Sequence, residues 1–294
     1  VVDKAYASEI ITWSGSVQLG DQGGYIMNEQ QSVVTRSAWV DHIPVLWSEP
    51  EISPSRRQLV MLLHPFGGSK ETMKPMLEEL AGLGFVAVSL DAWQHGERRP
   101  DNEEDLFERV FGNFRRYMWP ILGQTTVDTL RVIDWAIHEL KVDPYVQIGG
   151  LSMGGDIAVA AAGIDSRIHK VAAVVATPDW LRPDMEDIRQ PGTPVPAGEP
   201  DAYAAYWYNQ LNPLTHLPAY NHHPAIHFIC GEEDTHVPPD GALRFQAEMA
   251  DMYPDHRNTV AVTLIPNMGH RESSQYDLWW PECREWLIQS QMPE

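Results

Sequence analysis

Residues 148–155 read Ile-Gly-Gly-Leu-Ser-Met-Gly-Gly, a lone serine between glycines directly after an apolar run. Glycine is used where a chain turns sharply or lets another backbone come close, and it costs conformational entropy elsewhere. The stretch therefore has two readings. One is a glycine-rich surface loop. The other is a strained turn from strand to helix with a serine at its apex, and the surrounding sequence has to decide between them.

Working outward, six short apolar runs are mostly β-branched or aromatic and are bounded by Gly, Pro, Asp or His. They are Gln58 to Leu63, Phe85 to Leu90, Tyr145 to Ile148, Val171 to Ala176, Ala225 to Cys230 and Val260 to Ile265. Such runs are expected of strands buried on both faces. Helical periodicity alternates with them over Glu71 to Leu83, Thr125 to Leu140, Asp156 to Ala162, Asp240 to Met252 and Tyr276 to Ile288. The alternation predicts the α/β class, with a mostly parallel central sheet and helices on both faces. Ser32 to Trp47 reads as an antiparallel hairpin at the sheet edge.

Two segments break the pattern. Residues 97–123 mix charge with aromatic side chains, and residues 178–224 hold nine prolines and six tyrosines or tryptophans. Disordered segments are poor in aromatics, so both are expected to be ordered insertions forming a cap or rim on one domain spanning 1–294.

The chain has 294 residues, 43% of them hydrophobic, and a formal net charge of −20 from 21 basic and 41 acidic residues. Sequence-independent binding to nucleic acid or to an anionic membrane would need a basic surface, so neither partner is expected. No apolar run approaches the length of a membrane span. The cytoplasm is the default location; the chain starts at Val1, so an earlier leader stays open, as does oligomeric state, a homodimer included. Cys230 and Cys283 are too few for a disulfide framework, and a single bridge between them is the one pairing available. His222 and His223 lack acidic or thiol partners at ligand spacing, and no metal or cofactor is expected.

Gly150-Leu151-Ser152-Met153-Gly154 matches G-x-S-x-G, the turn that lifts a nucleophilic serine above a sheet. A serine hydroxyl needs a base, and the base needs an orienting acid. In this architecture they follow in the order Ser, acid, His, each after a later strand. Gly231-Glu232-Glu233-Asp234-Thr235-His236 follows one strand, and Pro266-Asn267-Met268-Gly269-His270 follows the next. Asp234 is expected as the acid, in competition with Glu232 and Glu233, and His270 as the base; His236 stands only two residues from that acid. Oxyanion donors are expected from the backbone of Met153, at the helix start, and of Phe66, because Pro65 has no N–H.

These elements together resemble an α/β-hydrolase-fold serine esterase, from about Gln58 to the C-terminus. Asp91-Ala92-Trp93-Gln94-His95-Gly96-Glu97-Arg98 further resembles a stretch of small bacterial esterases related to dienelactone hydrolases and prolyl-oligopeptidase-like enzymes. Dienelactone hydrolases commonly use a cysteine where this chain has Ser152, which points to the serine esterase branch. The resemblance implies hydrolysis of a small-molecule carboxylic ester through an acyl-enzyme, and that Asp91 and His95 brace the loop beside the site. His95, Tyr206 and Trp207 are candidate pocket residues.

The alternatives are a peptidase or amidase, an acyltransferase with the same triad, a lipase, and a non-catalytic binding protein on the same fold. A prolyl-oligopeptidase-type peptidase usually carries a large N-terminal domain, against about 57 residues ahead of the first core strand here. Lack of an apolar flap weighs against the lipase. A silent binding protein typically lacks a triad member, and none is missing here.

Overall fold

A computed structural model describes residues 32–100 and 102–289; the expected single domain extends at both ends beyond them. The edge hairpin is present as β1 (Val33–Val40) and β2 (Ile43–Pro50), paired antiparallel from Val33 opposite Pro50 to Val40 opposite Ile43. Asp41 takes the positive φ of 54° that this two-residue turn requires. The apolar runs form β3 (Leu59–Leu63), β4 (Val86–Leu90), β5 (Val146–Leu151), β6 (Ile168–Val174), β9 (Ala225–Gly231) and β10 (Val260–Ile265). Between them a small separate hairpin joins β7 (Glu186–Asp187) to β8 (Gln190–Pro194).

The main sheet runs in the order β1-β2-β4-β3-β5-β6-β9-β10, antiparallel at β1-β2-β4 and parallel beyond. Every residue of β3 and β4 is buried, which is why these strands read as unbroken apolar runs. Alternate side chains feed two apolar cores, one on each face. Cys230 belongs to one and Cys283 to the other, and both are free thiols, so the available bridge is not made.

Helices α1 (Lys74–Gly82), α2 (Glu103–Gly112), α3 (Phe114–Trp135), α4 (Met153–Ile164), α5 (Ala202–Leu211), α6 (Asp240–Met252), α7 (His270–Ser273) and α8 (Tyr276–Ile288) complete the layers. α6 and α8 have the bounds their periodicity predicts. The helix expected over Thr125 to Leu140 begins at Phe114 instead, and its last turn, Ala136–Leu140, widens to a π turn. Asn113 caps it by accepting from Arg116 N–H, and Pro120 sits inside it. A proline and a run of charges hid this start in the sequence. The buried face of Phe114, Met118, Ile121, Leu122 and Thr125 nevertheless has helical spacing.

The two irregular segments therefore carry regular elements, and they hold each other. Phe114 and Arg115 N–H groups donate to the Pro196 and Ala197 carbonyls at 3.2 and 2.9 Å, and Trp119 Nε1 donates to Trp180 O at 2.8 Å. Arg189 on the β7–β8 turn pairs with Glu104 at 2.6 Å, its guanidinium 3.4 Å from the Phe107 ring centroid.

Candidate active site

The parallel strands β3, β5, β6, β9 and β10 all deliver their following loops to one edge of the sheet, where open α/β sheets gather their functional groups. β5 ends at Leu151 and α4 begins at Met153, leaving Ser152 alone between them at φ 52° and ψ −117°. A non-glycine residue with positive φ is held there by its surroundings. Ser152 N–H donates to Val174 O at 2.7 Å, while the Ser152 carbonyl accepts from Gly155 and Asp156 N–H at 2.8 and 3.1 Å. The glycines are demanded by distance. A Cβ on Gly150 would lie 2.1 Å from the backbone of Gly154, and one on Gly154 would lie 2.2 Å from Leu63 O. The surface-loop reading of residues 148–155 is thereby excluded, since the segment is wedged between β3 and β6.

The loops after β9 and β10 are tied together by backbone bonds from Glu232 N–H to Ile265 O at 3.0 Å and from Glu233 N–H to Met268 O at 2.9 Å. The three acids then take different tasks. Glu232 accepts from Asn267 N–H at 3.2 Å, Glu233 is exposed, and buried Asp234 accepts from His270 Nδ1 at 2.7 Å. The other Asp234 oxygen accepts from His236 and Val237 N–H at 2.9 and 2.7 Å, which fixes the carboxylate. With its Nδ1–H facing the carboxylate, His270 keeps Nε2 as the free base. Among the described residues the His270 ring is hydrogen-bonded to Asp234, and a bond from serine to histidine is not formed. Such bonds are often long or unformed before substrate arrives.

Phe66 lies on the loop after β3, and Met153 is the first residue of α4, where a backbone N–H has no partner within the helix. Below Phe66 the loop rests on buried polar groups. His64 donates from Nδ1 to Pro65 O at 2.8 Å and accepts from Ala92 N–H at Nε2 at 3.0 Å, and burial lowers its pKa. Asp91, fully buried, accepts from Lys70 N–H, Glu97 N–H and Lys70 Nζ at 2.8, 2.9 and 3.0 Å. His95 is buried under Phe66, its ring centroid 5.0 Å away, and donates from Nδ1 to Trp93 O at 2.9 Å. Burial and the neighbouring His64 push His95 down to about 3. Glu97 accepts from Lys70 Nζ at 2.6 Å. Among the described residues no group of three or more His, Cys, Asp or Glu is set to hold a metal ion.

A cleft of about 370 Å³ opens beside His270, between α7, the loop after β9 and the β7–β8 hairpin. Of the three candidate pocket residues, His95, Tyr206 and Trp207, none lines it, and His95 is fully buried beneath Phe66. Tyr206 is exposed on α5, and Trp207 lies against α3, where a Cβ on Gly123 would come within 2.6 Å of its ring. Sequence reading missed two features here. His236, considered only as a base, lines the cleft as a buried imidazole. Asp156, in the first turn of α4, forms a buried ion pair with Arg182 and accepts from Thr177 N–H at 2.8 Å. Burial raises the Asp156 pKa, and the Arg182 guanidinium opposes that shift. The available signal was one carboxylate in a helix otherwise made of Gly, Ala and aliphatic residues.

Residues 112–286, more than half of the chain, match the prolyl oligopeptidase family, so the chain belongs to it. Among curated proteins it is similar to YtaP of Bacillus subtilis, a protein named as a hydrolase, at 28% identity over 140 residues. That match takes in 42% of this chain and 45% of YtaP, so the chain spans about half the length of this relative. Among solved structures, TT1662 from Thermus thermophilus superposes with a TM-score of 0.65 at 20% identity, covering 88% of this chain and 100% of that one. The esterase Pf2001 of Pyrococcus furiosus gives 0.54 at 15% identity, covering 86% and 88%. The acylaminoacyl peptidase of Pyrococcus horikoshii gives 0.60 at 16% identity, covering 90% of this chain and 43% of that one. At these identities the structures establish a shared α/β-hydrolase fold. Together with the family match they make the chain a member of a serine hydrolase family. Among the described residues no helix is long and apolar enough to cross a membrane.

Proposed function

We propose that this member of the prolyl oligopeptidase family hydrolyses carboxylic esters of small molecules through an acyl-enzyme on Ser152. One observation carries the reading: a serine held at φ 52° shares a sheet edge with a histidine whose Nδ1 lies 2.7 Å from a buried carboxylate. In the proposed reaction His270 Nε2 takes the Ser152 proton as Oγ attacks the ester carbonyl. The Phe66 and Met153 N–H groups hold the oxyanion, with the α4 dipole adding to the field. His270 then protonates the departing alcohol. Water repeats the sequence, His270 again acting as base, and the acid leaves. Asp234 holds the histidine tautomer throughout and stabilises the imidazolium.

Family membership favours a second reading, in which the bond cleaved is an amide. The two share every residue and differ in the leaving group. The deciding experiment pairs p-nitrophenyl and alkyl esters of graded acyl length with p-nitroanilides of the same acyl groups. Turnover of esters far above anilides is expected, with a fluorophosphonate adduct on Ser152. Ser152→Ala is expected to lower kcat by about 10⁴-fold or more. Equal turnover by wild type and Ser152→Ala, or labelling of a different serine, overturns the mechanism; faster anilide cleavage selects the peptidase reading.

A further inference from the structure

His236 is not used by the steps above, yet its ring is fixed as firmly as that of His270. It is 7% exposed, and its Nδ1 lies 2.7 Å from the Glu186 carbonyl on β7. A carbonyl oxygen only accepts, so Nδ1 carries the hydrogen and donates. Burial and the neighbouring His270 push the His236 pKa down to about 3, which keeps the ring neutral and leaves Nε2 as a bare lone pair. No group among the described residues donates to that nitrogen. The ring lines the cleft, with its centroid 4.9 Å from that of His270 and 5.6 Å from that of Phe111. Nε2 is not among the buried side-chain atoms left without a partner, so it opens to the cleft, where a donor on a bound molecule can reach it. The same cleft is rimmed by the carboxylates of Asp187, Glu233 and Glu272, which also accept, and by Arg189 and Arg271.

We propose that His236 is a specificity-determining residue, and that the preferred substrate carries an O–H or N–H donor near the scissile carbonyl that bonds to His236 Nε2. This rests on the reading of Ser152 and His270 as the reacting pair. A hydroxyl or an amide N–H supplies the same chemistry, on the acyl or on the alcohol side. One backbone bond, from Glu186 N–H to Thr235 O at 2.8 Å, and the bond from His236 Nδ1 to Glu186 O tie the hairpin to the loop that carries the acceptor, so its position is set before substrate binds.

The test compares matched esters that differ in the donor alone. p-Nitrophenyl β-hydroxybutyrate is set against the butyrate, the p-nitrophenyl ester of N-acetylglycine against that of N-acetylsarcosine, and a glycol monobutyrate against ethyl butyrate. In wild type, kcat/KM is expected to favour at least one donor-bearing member by about threefold to tenfold, the worth of a neutral hydrogen bond. The arm that responds identifies the donor. His236→Asn keeps an amide N–H where Nδ1–H stood and removes the outer acceptor, so the preference should fall to about one. His236→Gln, whose amide oxygen reaches the Nε2 position, should retain part of it. A flat ratio in wild type across all three arms, or a preference that survives His236→Asn, overturns the proposal. Failure of the underlying reading looks different, because turnover would then persist in Ser152→Ala whatever the ratio.

Discussion

Asp234, Glu233 and Glu232 are adjacent in sequence and chemically alike, yet their surroundings give them separate tasks. Burial and two backbone donors leave Asp234 one oxygen, which faces His270 Nδ1. Asp234→Asn keeps the shape but presents an amide to the ring and favours the wrong tautomer. A fall in kcat of about 10⁴-fold is expected, as for the equivalent change in other triads. Glu233 is exposed, and Glu233→Gln should leave kcat within a few-fold of wild type. Steady-state kinetics on one ester with both variants decides the assignment, and it is lost if the two effects are reversed.

At the scale of elements, the approach of α5 to α3 sets the wall that the two irregular segments build together. Trp207 lies against Gly123, and a Cβ there would meet the indole at 2.6 Å. Trp119 and Tyr208 stack nearby with ring centroids 4.3 Å apart. Overpacking of this kind typically costs about 1–3 kcal/mol. Gly123→Ala should therefore lower Tm by a few degrees, read by calorimetry, with the loss concentrated in faster hydrogen exchange over α5. An unchanged Tm would mean that α5 moves away freely and is not a fixed wall.

Over the whole molecule, the polar interior makes stability depend on pH. His64, His95 and His236 are buried with pKa values held below the ordinary 6.5, the last two at about 3. Unfolded, each would take a proton near 6.5; folded, each resists. Between these values the unfolded chain binds more protons, so stability is complete above about pH 6.5 and is lost as pH falls towards 3. Each strongly shifted imidazole contributes on the order of 1 kcal/mol per pH unit in that window. Tm should fall steadily from pH 7 to pH 5, and His95→Asn should make the slope shallower. A Tm that is flat across this range would contradict the buried, neutral state of these rings.

The alternation of apolar runs and helical periods determined the α/β class. G-x-S-x-G, followed after later strands by three adjacent acids and a histidine, marked Ser152, His270 and that group of acids as the candidates. Both were legible because burial on two faces and a turn too tight for side chains leave direct marks on residue type. Tertiary structure decided which of three neighbouring acids meets His270, since that depends on which one is buried against backbone donors. It also decided that α3 begins ahead of Pro120, where packing on α5 and the 178–224 segment outweighs a local breaker. Most of all it placed His236 in the cleft, because the partner that fixes its ring is Glu186 O, 50 residues away in the chain. A contact that distant leaves no period or spacing to read.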